Sequence, residues 1–130
     1  MSRILAVDPG DKRIGIAISD PTGLIARPLL VLEHSSRTAD AIEIIQIAEN
    51  HEASTIVVGI PYDADGNTGP QARKSFRLVE AIAETTSIPI HTWDESGSTQ
   101  AALRRHKRDP LLDAHAAAVI LQEYLDAQAD

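Results

Sequence analysis

Three acidic residues, Asp8, Glu95 and Asp113, stand at positions from which carboxylates can do chemistry. Asp8 ends an apolar run, and Pro9 and Gly10 after it bend the backbone and allow a ligand to approach it closely. Glu95 follows a second strand-like segment, and sites on open sheets form at strand ends. If the three carboxylates converge, they suit hard cations such as Mg²⁺ or Mn²⁺. We therefore predict a metal centre, and Asp8, Glu95 and Asp113 are its candidate catalytic residues.

Asp113 is the most unusual of the three acids because it lies on an apolar helix face. Helical spacing places it in line with Ala117, Ile120 and Tyr124. A carboxylate buried there is costly unless a partner compensates it. Structural explanations stay open for all three acids: Asp113 as a first-turn acid favoured by the helix dipole, and the other two as a turn former and a surface residue.

The composition limits how the protein could bind nucleic acid, namely through metal ions and contacts to phosphates. The 130-residue chain has no cysteine, which excludes disulfide scaffolds, thiolate zinc sites and cysteine nucleophiles. Its formal charge of −7 opposes long-range attraction to nucleic acid, and its four aromatic residues are too few for base stacking. Two divalent ions held by the acids would activate a water and stabilise the leaving oxygen of a phosphodiester.

Basic residues near the acids are candidate phosphate ligands. Lys12 and Arg13 stand beside Asp8, and Arg104 and Arg105 belong to a basic stretch at 104–108. We predict that these side chains hold a nucleic-acid strand; the alternative for the basic stretch is a solvated helix end. No HExxH, P-loop or GxSxG motif occurs in the sequence.

The elements that must position these residues follow the order βββαβαβαα. A hairpin over 4–19 and a strand over 24–32 come first, and the proline at 28 in that strand fits an edge or a bulge. The continuously apolar segment 55–60 predicts a buried parallel strand, and 61–70 a polar loop. A last strand over 87–93 leads to Glu95. We expect one domain over 1–130, an α/β fold with a five-stranded mixed sheet flanked by helices.

Helix limits and buried faces follow from capping residues and periodicity. Thr38 or Asp40 can cap the first helix, and Asp109 with Pro110 can begin the last one. Ser98 or Thr99 can cap a short helix before it. The predicted buried positions are Ile42, Ile45 and Ala48 in the first helix and Ala72, Phe76, Val79 and Ala83 in the second.

With these segments in place, the chain resembles the YqgF/RuvX family. These are ribonuclease H-like proteins described as Holliday junction resolvases and as nucleases that mature the 5′ end of pre-16S ribosomal RNA. Residues 8–15, DPGDKRIG, look like the opening hairpin of the family, and 26–28, ARP, like its third strand. Segments 57–61 and 65–72 resemble its central strand and loop, and segments 112–117 and 120–125 its final helix.

The resemblance implies the ribonuclease H-like fold and assigns Asp8, Glu95 and Asp113 as the metal-binding acids. Two departures concern the segment after Glu95. The family usually has an arginine and a bulky residue where Ser96 and Gly97 stand, although Ser98 and Thr99 keep its hydroxyl pair and are predicted to bind nucleic acid. The segment between Thr99 and Asp113 is also shorter than usual. Loss of the arginine removes a bidentate phosphate contact.

The predicted function is metal-dependent nuclease activity in 5′-end maturation of pre-16S rRNA, with Mg²⁺ or Mn²⁺ as cofactor, two ions in all. A junction-resolving DNA endonuclease is the alternative, and a non-catalytic nucleic-acid-binding or ribosome assembly factor is the alternative of another class. A nucleotide-binding kinase-like fold would need two such domains. We expect a cytoplasmic location, no membrane segment, and pairing into a homodimer if the substrate is a four-way junction.

Overall fold

The computed structural model describes residues 2–95 and 110–129. Short loops connect most of the elements, and helix α3 follows the undescribed segment 96–109. The described elements are β1 (Arg3–Pro9), β2 (Arg13–Ser19), β3 (Ala26–Glu33), α1 (Arg37–Asn50), β4 (Ala53–Ile60), α2 (Pro70–Thr85), β5 (Ile90–Asp94) and α3 (Leu112–Gln128).

The five strands form one mixed sheet in the order β3-β2-β1-β4-β5. The pairs β1–β2 and β2–β3 are antiparallel, whereas β1–β4 and β4–β5 are parallel. The predicted five-stranded mixed sheet is therefore confirmed. The carboxyl ends of β1, β4 and β5 point the same way, so the residues that follow them meet at one edge of the sheet.

Alternation along the strands gives the sheet two buried faces. Leu5 and Val7 of β1 pack with α1 and α2 in the larger core, while Ala6 between them packs with α3 in the smaller one. Strand β4 is buried on both faces, as its continuous apolar run predicts. The sheet thus separates an α1/α2 side from an α3 side.

Helix α1 begins earlier than predicted. Its N-cap is Ser36, whose hydroxyl accepts a hydrogen bond from the Ala39 N–H at 3.1 Å, so the prediction of Thr38 or Asp40 was wrong. Asp40 is instead buried in the first turn. Ile42 is exposed, so its predicted burial was wrong, while Ala41 and Ile44 join the predicted Ile45 and Ala48 in the core.

Helix α2 begins at Pro70, the last residue of the predicted polar loop. Its buried residues are Ala72, Ser75, Leu78 and Ile82. Ala72 is buried as predicted, and Phe76 and Val79 are partly buried. Ala83 is exposed, so that prediction was wrong.

Strand β3 is an edge strand, as the proline predicts. The register shifts between Ile16 and Ala17, which pair with Leu30 and Pro28, so Leu29 is an extra residue beside the proline. The strand begins at Ala26, two residues later than predicted. Likewise β5 begins only at Ile90.

Helix α3 has Leu111 as its N-cap, and no side chain caps it. Pro110 lies outside the helix, so its predicted place in the first turn was wrong, while Asp109 lies outside the described residues. The short helix predicted to begin at Ser98 or Thr99 also lies outside the described residues. Within the described part of the chain, no helix is long and apolar enough to span a bilayer.

Candidate active site

Asp8 lies at the end of β1, almost completely buried at 2% exposure. Alternation places its side chain on the same face as Ala6, which packs against α3. Its partner across the β1–β2 ladder is Gly15, and the Val7–Val58 pairing places Gly59 next to it on β4. Asp8 therefore stands between two strand positions that have no side chain.

The glycine in β2 makes room for the start of α3. A Cβ on Gly15 would lie 1.8 Å from the carbonyl oxygen of Asp113 and 2.9 Å from the amide nitrogen of Ala114. No side chain fits into that space, so the first turn of α3 lies directly on the backbone of β2. This contact brings Asp113 to the cross-strand neighbour of Asp8.

The glycine in β4 makes room for Glu95. A Cβ on Gly59 would lie 2.7 Å from Oε1 of Glu95 and 2.8 Å from Cδ1 of Ile120. The Glu95 N–H donates to the carbonyl of Ile60 at 3.1 Å, which fixes its backbone beside the end of β4. The Glu95 side chain thus lies over β4, on the same face of the sheet as Asp8 and Asp113.

Helix α3 is fixed over the sheet by hydrogen bonds to both edge strands. Gln122 accepts from the Ala26 N–H at 2.9 Å on β3. On β5, His91 Nδ1 lies 2.7 Å from the Tyr124 hydroxyl, and Trp93 donates to Glu123 at 3.2 Å. Burial raises the pKa of Tyr124 above its ordinary value. These bonds hold Asp113 in a defined place.

Asp113 is paired with a basic residue of the opening hairpin. Arg13 Nε donates to Asp113 Oδ2 at 3.1 Å, and the two side chains are 58% and 24% exposed. Arg13 is one of the predicted phosphate ligands, and it lies at the site in contact with a predicted metal ligand. Lys12 is exposed in the adjacent turn, and its carbonyl accepts from the His34 N–H at 2.9 Å.

The donor set fits a hard cation, although the acids do not form a ready coordination shell. Across residues 2–95 and 110–129, no three acidic or histidine side chains are grouped so that they could hold one ion. However, Oε1 of Glu95 is buried and has no hydrogen-bond partner among the described residues. A buried carboxylate oxygen without a donor is costly, and a cation is the partner that would satisfy it.

The structure places Asp8, Glu95 and Asp113 on one face of the sheet and Arg13 in contact with Asp113, without grouping the three acids into a coordination shell. Ser98, Thr99, Arg104 and Arg105 lie outside the described residues, as do Ser96 and Gly97. The sequence-based prediction missed the two glycines that admit Asp113 and Glu95. Their signal is visible in the sequence, because a glycine inside a strand, away from a turn, marks a close approach.

A ribonuclease H-like sheet with acids at its strand ends defines a class of nuclease folds, and comparison with solved structures agrees. The chain is similar to "Thermus thermophilus RuvC structure", with a TM-score of 0.63 at 15% identity, covering 98% of this chain and 96% of that one. It is also similar to "Crystal structure of Fowlpox virus resolvase and substrate Holliday junction DNA complex", with a TM-score of 0.61 at 10% identity, covering 98% and 99%. These likenesses confirm the predicted fold.

The sequence comparisons identify the family. The family model described as "RuvX: Holliday junction resolvase" matches residues 2–127. A protein of Thermoanaerobacter pseudethanolicus named "Putative pre-16S rRNA nuclease" is 44% identical, and the match covers 97% of each chain. One of Desulforamulus reducens with the same name is 40% identical over 98% of each. The chain belongs to the RuvX family, which confirms the predicted family and its nuclease class.

Proposed function

We propose that the protein is a metal-dependent nuclease that hydrolyses phosphodiester bonds during 5′-end maturation of pre-16S rRNA. One observation carries the chemistry: Asp8, Glu95 and Asp113 come from three elements to one face of the sheet, where a buried oxygen of Glu95 has no donor among the described residues. The name shared by the full-length relatives supports the substrate.

In this proposal Asp8, Glu95 and Asp113 hold Mg²⁺ or Mn²⁺, two ions in all, through oxygen ligands of the kind that hard cations prefer. When bound, the ions supply an activated water and stabilise the leaving oxygen. The burial of Asp8 and Glu95 keeps bulk water from competing for their oxygens. Asp113 is more exposed than Asp8 and Glu95, so in this proposal it is the acid that a substrate in solution reaches first.

Arg13 and Lys12 bind the phosphates of the strand. The Arg13–Asp113 pair is solvated, and such pairs contribute only about 0–1 kcal/mol. The Arg13 guanidinium could therefore leave Asp113 for a substrate phosphate, and Asp113 would then be free to serve as a ligand of a cation. We assign Ser98, Thr99, Arg104 and Arg105 to the same strand-binding role, and the charge of the basic stretch offsets the −7 of the chain locally.

A second candidate function is junction resolution. The description of the family model favours it, and the structural neighbour from fowlpox virus is a resolvase with a Holliday junction. Two matched cuts in a four-way junction call for a symmetric pair, so this activity would come with a homodimer. Both candidate substrates are consistent with a cytoplasmic location.

The test compares the wild type with Asp8→Asn, which removes charge and keeps shape. The matched control is Asp65→Asn, because Asp65 is an exposed carboxylate in the loop before α2. Mn²⁺ is titrated into each protein by calorimetry, and the same preparations are assayed on a pre-16S precursor RNA and on a four-way DNA junction.

We expect Asp8→Asn to lose Mn²⁺ binding and cleavage, and Asp65→Asn to keep both. The substrate that the wild type cuts decides between the two candidates. Full activity of Asp8→Asn would overturn the proposed centre. A wild type that neither binds Mn²⁺ nor cuts would indicate a non-catalytic assembly factor. The first variant to make would then be Ser96→Arg, which restores the arginine that is usual in the family.

A further inference from the structure

We propose that a cavity on the α1/α2 side of the sheet binds a phosphorylated ligand of about mononucleotide size. The cavity has a volume of about 260 Å³ and lies between the β1–β2 turn and the helices α1 and α2. The cavity is separate from the three proposed metal-binding acids. Its apolar residues Ile14 and Leu78 belong to the α1/α2 core, whereas Asp8 lies on the α3 side of the sheet.

Two cationic groups at this cavity have no partner among the residues that the structure describes. Arg37 begins α1, Arg77 lies on α2, and both line the cavity. Within the described residues, neither guanidinium makes a hydrogen bond or an ion pair. Guanidinium groups bind phosphates through paired, charge-assisted hydrogen bonds, so two free ones beside one cavity favour such an anion.

The acids of the cavity wall are already compensated. Asp40 Oδ2 lies 2.5 Å from His34 Nδ1, and its Oδ1 accepts from the Ser35 N–H at 3.1 Å. Asp11 accepts from Lys74 and from Gln71, each at 3.0 Å. Within residues 2–95 and 110–129, the charges of the cavity wall left uncompensated are those of Arg37 and Arg77, so the cavity is locally positive in a chain of net charge −7.

The size and the apolar wall point to more than a bare phosphate ion. Small-molecule sites usually span about 300–1,000 Å³, and this cavity falls just below that range. Ile14, Leu78 and Pro9 offer apolar surface beside the charged groups. A nucleoside phosphate combines a charged phosphate with a largely apolar base, so it matches both parts of the wall. Part of such a ligand would stay in solvent.

Calorimetry without divalent metal, in the presence of EDTA, tests the proposal independently of nuclease activity. The probes are AMP, adenosine, and a tetranucleotide RNA with either a 5′-phosphate or a 5′-hydroxyl. The proteins are the wild type, the double variant Arg37→Gln/Arg77→Gln, and Arg73→Gln as matched control. Arg73 is exposed on α2, does not line the cavity, and donates to the Thr68 carbonyl.

We expect AMP to bind the wild type at least about tenfold more tightly than adenosine, and the double variant to bind AMP about a hundredfold more weakly. Arg73→Gln should stay within about twofold. A 5′-phosphorylated tetranucleotide that binds better than AMP would identify an RNA end as the source of the phosphate, and the reverse order a free nucleotide. Equal affinity for AMP and adenosine, no binding of any phosphorylated probe, or an unaffected double variant would overturn the proposal.

Discussion

Replacing Gly15 by alanine should displace the first turn of α3 from the sheet. The new Cβ would lie 1.8 Å from the Asp113 carbonyl oxygen, and real Cβ atoms essentially never approach within 3.0 Å. The helix start must therefore retreat by about 1.2 Å, the difference between the two distances. Overpacking of this kind costs roughly 1–3 kcal/mol, and we expect roughly 2–3 because the clash is with backbone. For a chain of this size that lowers Tm by about 6–15 °C.

The assay is urea and thermal unfolding of Gly15→Ala beside Gly69→Ala. A Cβ on Gly69 would be 3.9 Å from its nearest neighbour, an ordinary contact, so this control should stay within about 1 kcal/mol of the wild type. Because Asp113 moves with the helix, Gly15→Ala should also lose the stabilisation by Mn²⁺ that the proposed centre predicts. A Gly15→Ala protein as stable as Gly69→Ala would refute the close packing of α3 on β2.

Three further predictions concern single positions. Gly59→Ala should be less destabilising than Gly15→Ala in urea unfolding, because its closest contacts are side-chain atoms of Glu95 and Ile120 that can turn aside. Ser36→Ala should lower the unfolding free energy by about 1 kcal/mol through loss of the α1 cap, measured by urea unfolding. The Thr22 hydroxyl and the Ile25 and Leu24 N–H groups hold the pKa of Asp20 far below its ordinary value of 3.8. Since a lowered pKa stabilises the fold above the unfolded value, that contribution is lost as the pH falls below about 4, and Asp20→Asn should flatten the stability profile there.

The order of the elements along the chain and the places of Asp8 and Glu95 at strand ends could be predicted because local signals carry them. A short apolar run that ends in Asp8, Pro9 and Gly10 marks a strand and its turn without any knowledge of the partners. The continuously apolar β4 marks a buried strand in the same way. Once these strands are assigned, the carboxyl ends of parallel neighbours must share an edge, which is why Asp8 and Glu95 fall together.

What sequence reasoning missed depends on contacts between distant elements. The buried face of α1 is set by what it packs against: Ala41, Ile44, Ile45 and Ala48 lie in the core, whereas Ile42 is exposed. The Arg13–Asp113 pair joins residues 100 positions apart, and no local pattern encodes it. The same holds for Gly15, whose importance comes from the helix that lies on it and not from its own strand.

The electrostatics of the site follow from the same packing. The glycines let Asp113 and Glu95 approach the face that carries Asp8, so three carboxylates lie on one face of the sheet. In the described structure, Arg13 offsets the outermost of these charges through a solvated contact, which adds little to stability. The inner oxygen of Glu95 has no such partner among the described residues. Among the described residues, the fold thus compensates the more exposed acid and leaves an oxygen of the buried one without a partner, which is the arrangement that the proposed cation site requires.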